Sequence, residues 1–133
     1  MKGMVINMRN KIIFFAIIII CLSTLVFQAF YVKKACDDTL KDVGSLRSAI
    51  EQNNQHEINS EFNKVYVNWE KHQKFLNIFV SHKIVNEVST TLAQIEFHIE
   101  KNNKEKTLEY IIFLENHIKE ILMNEKITIQ NIF

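Results

Sequence analysis

Residues 58–79, INSEFNKVYVNWEKHQKFLNIF, decide the fold of this chain. Alternating steps of four and three residues separate their main apolar side chains, which places those side chains on one face of an α-helix. We call this face the seam, and it consists of Ile58, Phe62, Val65, Trp69, His72, Leu76 and Phe79. Only His72 in the seam is polar. A helix with such a face buries it against other helices, so the seam predicts an all-α fold built as a small helical bundle.

Apolar stripes of the same kind extend through most of the chain beyond residue 32. They predict four helices, at residues 33–52, 57–80, 83–101 and 105–123. Only a few polar residues separate consecutive helices, as is typical of antiparallel neighbours in a bundle. The tail, residues 124–133, contains KITIQNIF, which alternates apolar and polar residues. The tail is therefore either a short extended piece lying on the bundle or a peptide that binds a partner.

The composition excludes several classes of protein. The chain has 133 residues, no proline and two glycines, which disfavours all-β folds and the glycine-rich loops of dinucleotide-binding sites. Two cysteines cannot build a disulfide framework. A formal net charge of +1 gives no sign of a nucleic-acid partner.

Residues 12–32 contain no charged side chain and form a candidate membrane segment. Its 21 residues make a helix of about 31 Å, enough to cross the hydrocarbon core of a bilayer. A cleaved signal peptide is the alternative, but its apolar region is usually shorter and ends in small residues, whereas Phe27 stands at the candidate cleavage site. We therefore expect an uncleaved single-pass anchor, which continues as a helix into the bundle.

The sequence indicates the orientation of this anchor less clearly than the anchor itself, because the numbers of basic residues on its two sides are nearly equal. The anchor is N-terminal and follows a short basic head, residues 1–11, as in signal anchors. We expect this head in the cytoplasm and residues 33–133 outside the cell membrane. The exported part has 13 basic and 15 acidic residues, a net charge of −2, so it offers no polybasic patch for anionic lipid.

The histidines and cysteines do not form a recognisable catalytic or metal site. No two of the five histidines have the i, i+4 spacing of helical zinc ligands, and the Glu-x-x-His signature of di-iron bundles is absent. Ser81 beside His82 is not a catalytic dyad, because catalytic partners need geometry rather than adjacency. Cys36 is either a free thiol or a link between two copies of the chain. We predict no enzymatic activity, no metal and no cofactor.

Two residues of the seam have alternative interpretations. Trp69 can stack on a ligand, but its position favours an anchor in the core or at an interface. His72 can fix the register of the helices or respond to pH, and a half-exposed histidine at the edge of the bundle explains it equally well.

A series of short motifs resembles an uncharacterised bacterial family of small single-pass membrane proteins, found mainly in spore-forming Gram-positive bacteria. The motifs are Trp69, the aromatic Phe75, His82, the stretch VSTTLAQI with Leu92 and Ala93, and the terminal Asn131, Ile132 and Phe133. They extend over nearly the whole chain, and their joint order carries the specificity. The resemblance implies a location in the cell envelope and a membrane partner, and it implies no known activity.

The sequence departs from the pattern of that family around His82. The family has an acidic residue before this histidine and a glutamate two positions after it, where this chain has Ser81 and Ile84. Ser81 is a good N-cap for the third helix, and His82 would then lie at a corner where its ring can bond a terminal carbonyl of the second helix.

The sequence thus predicts a membrane-anchored, non-enzymatic helical module in the cell envelope that acts through protein contacts. Its partner would be an integral membrane protein or a second copy of the chain. The alternative is a module that senses a small ligand or the state of the envelope together with a membrane partner. The residues expected to serve structure or contacts are Trp69, His72, Phe75, His82, Asn131, Ile132 and Phe133.

Overall fold

The computed structural model describes residues 2–132, without the side chains of residues 2–4, 6, 128 and 132. The fold is all-α, as the sequence predicts, and its four helices pack as a bundle. The helices are α1 (Lys2–Glu51), α2 (Gln55–Phe79), α3 (His82–Glu100) and α4 (Lys104–Ile132). The chain divides into two units, Met1–Tyr31 and Val32–Phe133, so α1 contributes to both.

The first unit is an apolar helix with an exposed surface. Every side chain from residue 7 to residue 27 is exposed, and most of them are isoleucine, leucine, valine or phenylalanine. Among the described residues, one helix is long and apolar enough to span a membrane, and it lies near the N-terminus. An apolar surface of this extent is unfavourable in water. The unit is therefore consistent with a membrane anchor or a signal sequence.

The second unit is built around one core that all four helices share. Its largest fully buried side chain is Trp69 of α2. The other large members are Val32, Val43, Leu46, Val65, Leu76, Leu92, Ile95, Ile111, Leu114, Ile118 and Ile121. Four of the seven seam residues are buried, namely Ile58, Val65, Trp69 and Leu76. Phe62 and His72 are half-buried, and Phe79 is exposed at the last position of α2.

Two asparagine pairs turn the chain at one end of the bundle. Asn53 and Asn102 have positive φ angles of 54° and 52°, a left-handed conformation that asparagine tolerates better than most residues. The following amides close both turns in the same way, with Asn54 N bonded to Ala49 O and Asn103 N to His98 O. This arrangement is the Schellman motif that ends α-helices.

The second asparagine of each pair begins the next helix. Asn54 Oδ1 accepts a hydrogen bond from Glu57 N at 3.3 Å, and Asn103 Oδ1 accepts one from Lys106 N at 3.1 Å. Each bond satisfies a backbone donor that has no partner within its own helix. The Asn-Asn pair therefore ends one helix and caps the next within two residues.

Polar contacts fix α1 against its neighbours in the second unit. Asp42, which is buried, accepts a hydrogen bond from Asn68 Nδ2 at 2.5 Å and lies 3.5 Å from Lys64 Nζ. Arg47 Nη2 donates to Glu115 Oε2 at 3.2 Å. A buried carboxylate is stable only when it is paired and hydrogen-bonded, so Asp42 restricts the register of α1 on α2.

The structure corrects the prediction for the tail. Residues 124–131 are helical and continue α4, so the tail is not an extended piece. No glycine or proline interrupts this segment, and a helix satisfies its backbone hydrogen bonds internally. The alternation that suggested an extended peptide covers too few residues to outweigh these effects. Ile127 and Ile129 are exposed on the resulting helix.

Replacement of Asn54 with alanine should destabilise the bundle, because it removes the N-cap of α2. We expect the free energy of unfolding to fall by about 1 kcal/mol. Urea unfolding of the full chain in detergent, followed by the fluorescence of Trp69, measures the change. Asn63→Ala is the matched control, because Asn63 is exposed within the same helix. Equal effects of the two substitutions would contradict the role of Asn54 as a cap.

Candidate functional site

Trp69 joins α2 to α3 from within the core. Its side chain is 1% exposed, and its indole N–H donates to Ser89 Oγ of α3 at 3.0 Å. The ring is therefore buried and does not present a face to a ligand. Truncation of a buried tryptophan to alanine typically costs about 3–5 kcal/mol of stability, so Trp69 is a main anchor of the bundle.

His72 lies one turn after Trp69 on the side of α2 that faces α1. Its ring is half-buried. Burial lowers the pKa of His72 below its ordinary value, and the positive charges of Lys71 and Lys34 act in the same direction, whereas Asp38 opposes them. The folded state therefore favours the neutral imidazole at this position.

The end of α2 carries an aromatic pair. The ring centroids of Phe75 and Phe79 are 4.8 Å apart, with Phe75 half-buried and Phe79 exposed. This distance is within the range of favourable aromatic contacts. The pair extends the apolar surface of α2 beyond the core.

His82 lies at the corner between α2 and α3, and its contact differs from the predicted one. Its Nδ1 is 3.1 Å from the side-chain oxygen of Asn77, not from a terminal carbonyl of α2. Ser81 occupies the N-cap position of α3 but makes no side-chain capping bond. Ile84, at the position where the resembled family carries glutamate, is buried in the core. A glutamate there would lose its hydration, so the position is apolar in this chain.

The structure describes only some of the residues that were predicted as contacts in the tail. Asn131 is exposed on the last turn of α4. The side chain of Ile132 and all of Phe133 lie outside the described residues. The sequence-predicted residues therefore occupy separate environments: a buried anchor at Trp69, a half-buried histidine at His72, and exposed positions at His82 and Asn131.

Cys36 is a free thiol inside the core, which decides between the two alternatives open from the sequence. It is 0% exposed. Burial, together with the negative charges of Asp37 and Glu125, raises the pKa of the Cys36 thiol to about 12. The thiol is neutral and enclosed in the folded bundle, so it is neither a nucleophile nor a link between folded copies.

A row of aromatic rings crosses the surface formed by α3 and α4. We call it the aromatic strip, and it consists of Phe97, His98, Tyr110 and Phe113. The rings of His98 and Tyr110 stack at 5.3 Å, and Phe97 and Phe113 meet them edge-on at 5.2 and 5.7 Å.

The aromatic strip is open to solvent at both ends. Phe97 is 50% exposed, and Phe113 is 43% exposed. Lys101 Nζ lies 5.6 Å from the centre of the Phe97 ring, within the range of a cation–π contact. Exposed aromatic side chains in one place are typical of a contact surface.

Farther along the same two helices, three potential metal ligands come together. We call them the Glu–His cluster: Glu87 of α3 with His117 and Glu120 of α4. One ligand atom from each lies within 4.8 Å of the others. The sequence analysis missed this cluster because it considered His–His spacings and the order Glu-x-x-His, but not the reverse order His-x-x-Glu. The three-residue spacing of His117 and Glu120 was the available signal, and the approach of Glu87 was not visible in the sequence.

A cleft of about 140 Å³, with both polar and apolar side chains in its lining, lies at the end of the bundle that carries the asparagine turns. Asn53, Asn102 and Asn103 contribute to its lining. Nearby polar groups already serve the turns, since Asn103 caps α4 and Lys104 Nζ donates to Glu51 O at 3.1 Å. The cleft is therefore accounted for by the architecture of the turns.

Comparison with known proteins gives one match. Residues 26–132 match the family model described as a domain of unknown function, DUF4363. This range includes the seam, the aromatic strip and the Glu–His cluster. No curated protein and no solved structure is significantly similar to the chain.

The lowered pKa of His72 predicts a contribution to stability that depends on pH. The unfolded chain takes up this proton more readily, so stability should fall as the pH drops through the ordinary histidine pKa of 6.5 and level off below the folded pKa. Urea unfolding between about pH 8 and about pH 5 measures this dependence. We expect His72→Gln to flatten the profile and His56→Gln, at an exposed position, to leave it unchanged. A profile for His72→Gln that matches the unsubstituted protein would contradict the assignment.

Proposed function

The chain belongs to the DUF4363 family, a domain of unknown function, and on that premise we propose that it is a membrane-anchored helical module of the cell envelope. In this proposal the N-terminal helix stays in the membrane as a single-pass anchor, and residues 33–133 lie outside it. The module has no enzymatic activity and acts through contacts with an integral membrane protein. The resemblance to proteins of Gram-positive bacteria extends the proposal to that type of envelope.

The aromatic strip carries this proposal. Two of its rings, Phe97 and Phe113, are about half exposed, although the same helices bury a complete apolar face elsewhere. Aromatic side chains contribute large contact areas at protein interfaces, and Tyr110 and His98 add polar atoms that suit a partly hydrated rim. The surface is therefore suited to bind another protein.

Contact with a protein is better supported than the sensing of a small ligand. Trp69, the residue that a ligand would stack on, is buried beneath the surface. The cleft at the asparagine turns has a volume of only about 140 Å³, and Asn103 in its lining already caps α4. The raised pKa of the buried Cys36 thiol also argues against cysteine chemistry.

The orientation can be tested with single cysteines in a Cys21→Ser, Cys36→Ala background. The native Cys36 is unsuitable because it is buried. We expect a membrane-impermeant thiol reagent to label Asn63→Cys in intact cells, and to label Asn10→Cys only after lysis, since both positions are exposed. The mass of the mature chain separates an anchor from a cleaved signal sequence. Labelling of Asn10→Cys alone in intact cells would reverse the proposed orientation.

The contact surface can be tested by site-specific photocrosslinking in native membranes. We expect a photoreactive amino acid at Phe113, which is 43% exposed, to give one defined adduct with a membrane protein. Asn63, an exposed polar position of α2, is the matched control and should give none. Exposed interface aromatics often contribute more than about 1 kcal/mol to binding, so Phe97→Ser should weaken the Phe113 adduct several-fold.

Two results would contradict the contact proposal. One is the absence of any adduct from Phe113, and the other is the same adducts from Phe113 and Asn63. Circular dichroism and the fluorescence of Trp69 show whether Phe97→Ser keeps the native fold. Because Phe97 is half-exposed, we expect this substitution to leave both signals unchanged.

A further inference from the structure

Helix geometry explains how two residues of the Glu–His cluster come to be neighbours. His117 and Glu120 are three residues apart on α4, so their side chains are neighbours on one side of that helix. Glu87 reaches them from α3. Its Oε2 lies 3.7 Å from His117 Nδ1, which is close enough for an ion pair but longer than a hydrogen bond. The three side chains thus lie close together, and Glu87 and His117 do not form a hydrogen bond.

The donor atoms of the cluster suit a first-row divalent metal ion. An imidazole nitrogen and two carboxylate oxygens are ligands that Zn²⁺ and its neighbours accept. We propose that Glu87, His117 and Glu120 bind Zn²⁺ and thereby link α3 to α4. With three protein ligands, a tetrahedral ion keeps one coordination position open for water or for a group from a partner.

Small movements of the side chains bring the cluster to metal-binding distances. Zn²⁺ lies about 2.0–2.2 Å from nitrogen and oxygen ligands, so tetrahedral ligands are roughly 3.3–3.5 Å apart. The ligand atoms here lie within 4.8 Å of one another, and they need to approach by at most about 1.5 Å. Glu87 and His117 are half-buried and Glu120 is exposed, so rotation of the side chains achieves this without a shift of the helices.

An ion pair alone accounts less well for the cluster. A pair of Glu87 with protonated His117 explains two of the three groups. The carboxylate of Glu120 then lies close to that of Glu87, and two like charges at such a distance repel each other. Lys83 Nζ is 4.0 Å from Glu87 Oε1, but it is an exposed i, i+4 contact of little strength. A divalent cation would neutralise both carboxylates and use all three side chains.

The proposal is tested on the full chain in detergent, with no histidine tag and in buffer free of chelators. Zn²⁺ is titrated against a chromophoric chelator, and Co²⁺ is added in a parallel experiment. We expect one equivalent of Zn²⁺ to bind and the visible absorption of Co²⁺ to intensify as in sites of low coordination number. Neither readout depends on the membrane location or on the contact surface proposed above.

Variants identify the ligands. Glu87→Gln, His117→Gln and Glu120→Gln should each weaken Zn²⁺ binding by at least about tenfold. His98→Gln is the matched control, because His98 lies on the same flank of α3 as Glu87 but stacks on Tyr110 instead. It should bind Zn²⁺ like the unsubstituted chain. Circular dichroism confirms that each variant is folded.

The proposal is overturned if the unsubstituted chain binds no Zn²⁺ at stoichiometric concentration. It is also overturned if His117→Gln binds as tightly as the unsubstituted chain, since the ion would then lie elsewhere. A loss of binding in His98→Gln equal to that in His117→Gln would move the site to the aromatic strip and contradict the assignment.

Discussion

Chain reversal at one end of the bundle depends on two residues held in the left-handed region of the backbone. Most helical proteins use glycine at such positions, but neither glycine of this chain lies in a turn. Asn53 and Asn102 take that role, and their successors Asn54 and Asn103 begin the next helices. Longer turns would hold the apolar faces of consecutive helices less closely together. The packing of the core around Trp69 would then be less well defined. The packing of the second unit therefore rests on two short polar sequences.

The sequence predicted the helices well because their apolar residues repeat with the period of an α-helix. Four of the seven seam residues are buried, as that period requires, and Phe62 and His72 between them are half-buried. Of the two alternatives for the tail, the extended piece was wrong, because a few alternating residues carry less information than the absence of any helix breaker in residues 104–132. The second alternative, a peptide that binds a partner, stays a prediction. The bond of His82 was also misassigned. Sequence placed the histidine at a corner but could not choose between a backbone carbonyl and the side chain of Asn77.

Less of the candidate surface was predictable, because it arises between helices. Phe97 and Phe113 lie on different helices, and the stack of His98 on Tyr110 that connects them depends on the register of α3 against α4. The same register brings Glu87 to His117. Spacing within α4 alone indicated that His117 and Glu120 are neighbours. The sequence of one helix does not show which residues of the neighbouring helix lie opposite its own. That arrangement determines whether isolated polar residues form a group.

The burial of Cys36 affects how the protein would be oxidised in an oxidising compartment. Its thiol becomes accessible only when the bundle opens, so oxidation acts on the open form and spares the folded one. Copies that open often would accumulate crosslinks or oxidised sulfur, whereas tightly folded copies would remain reduced. The core therefore protects this thiol from oxidation. The oxidation state of Cys36 then depends on how long each molecule has stayed folded.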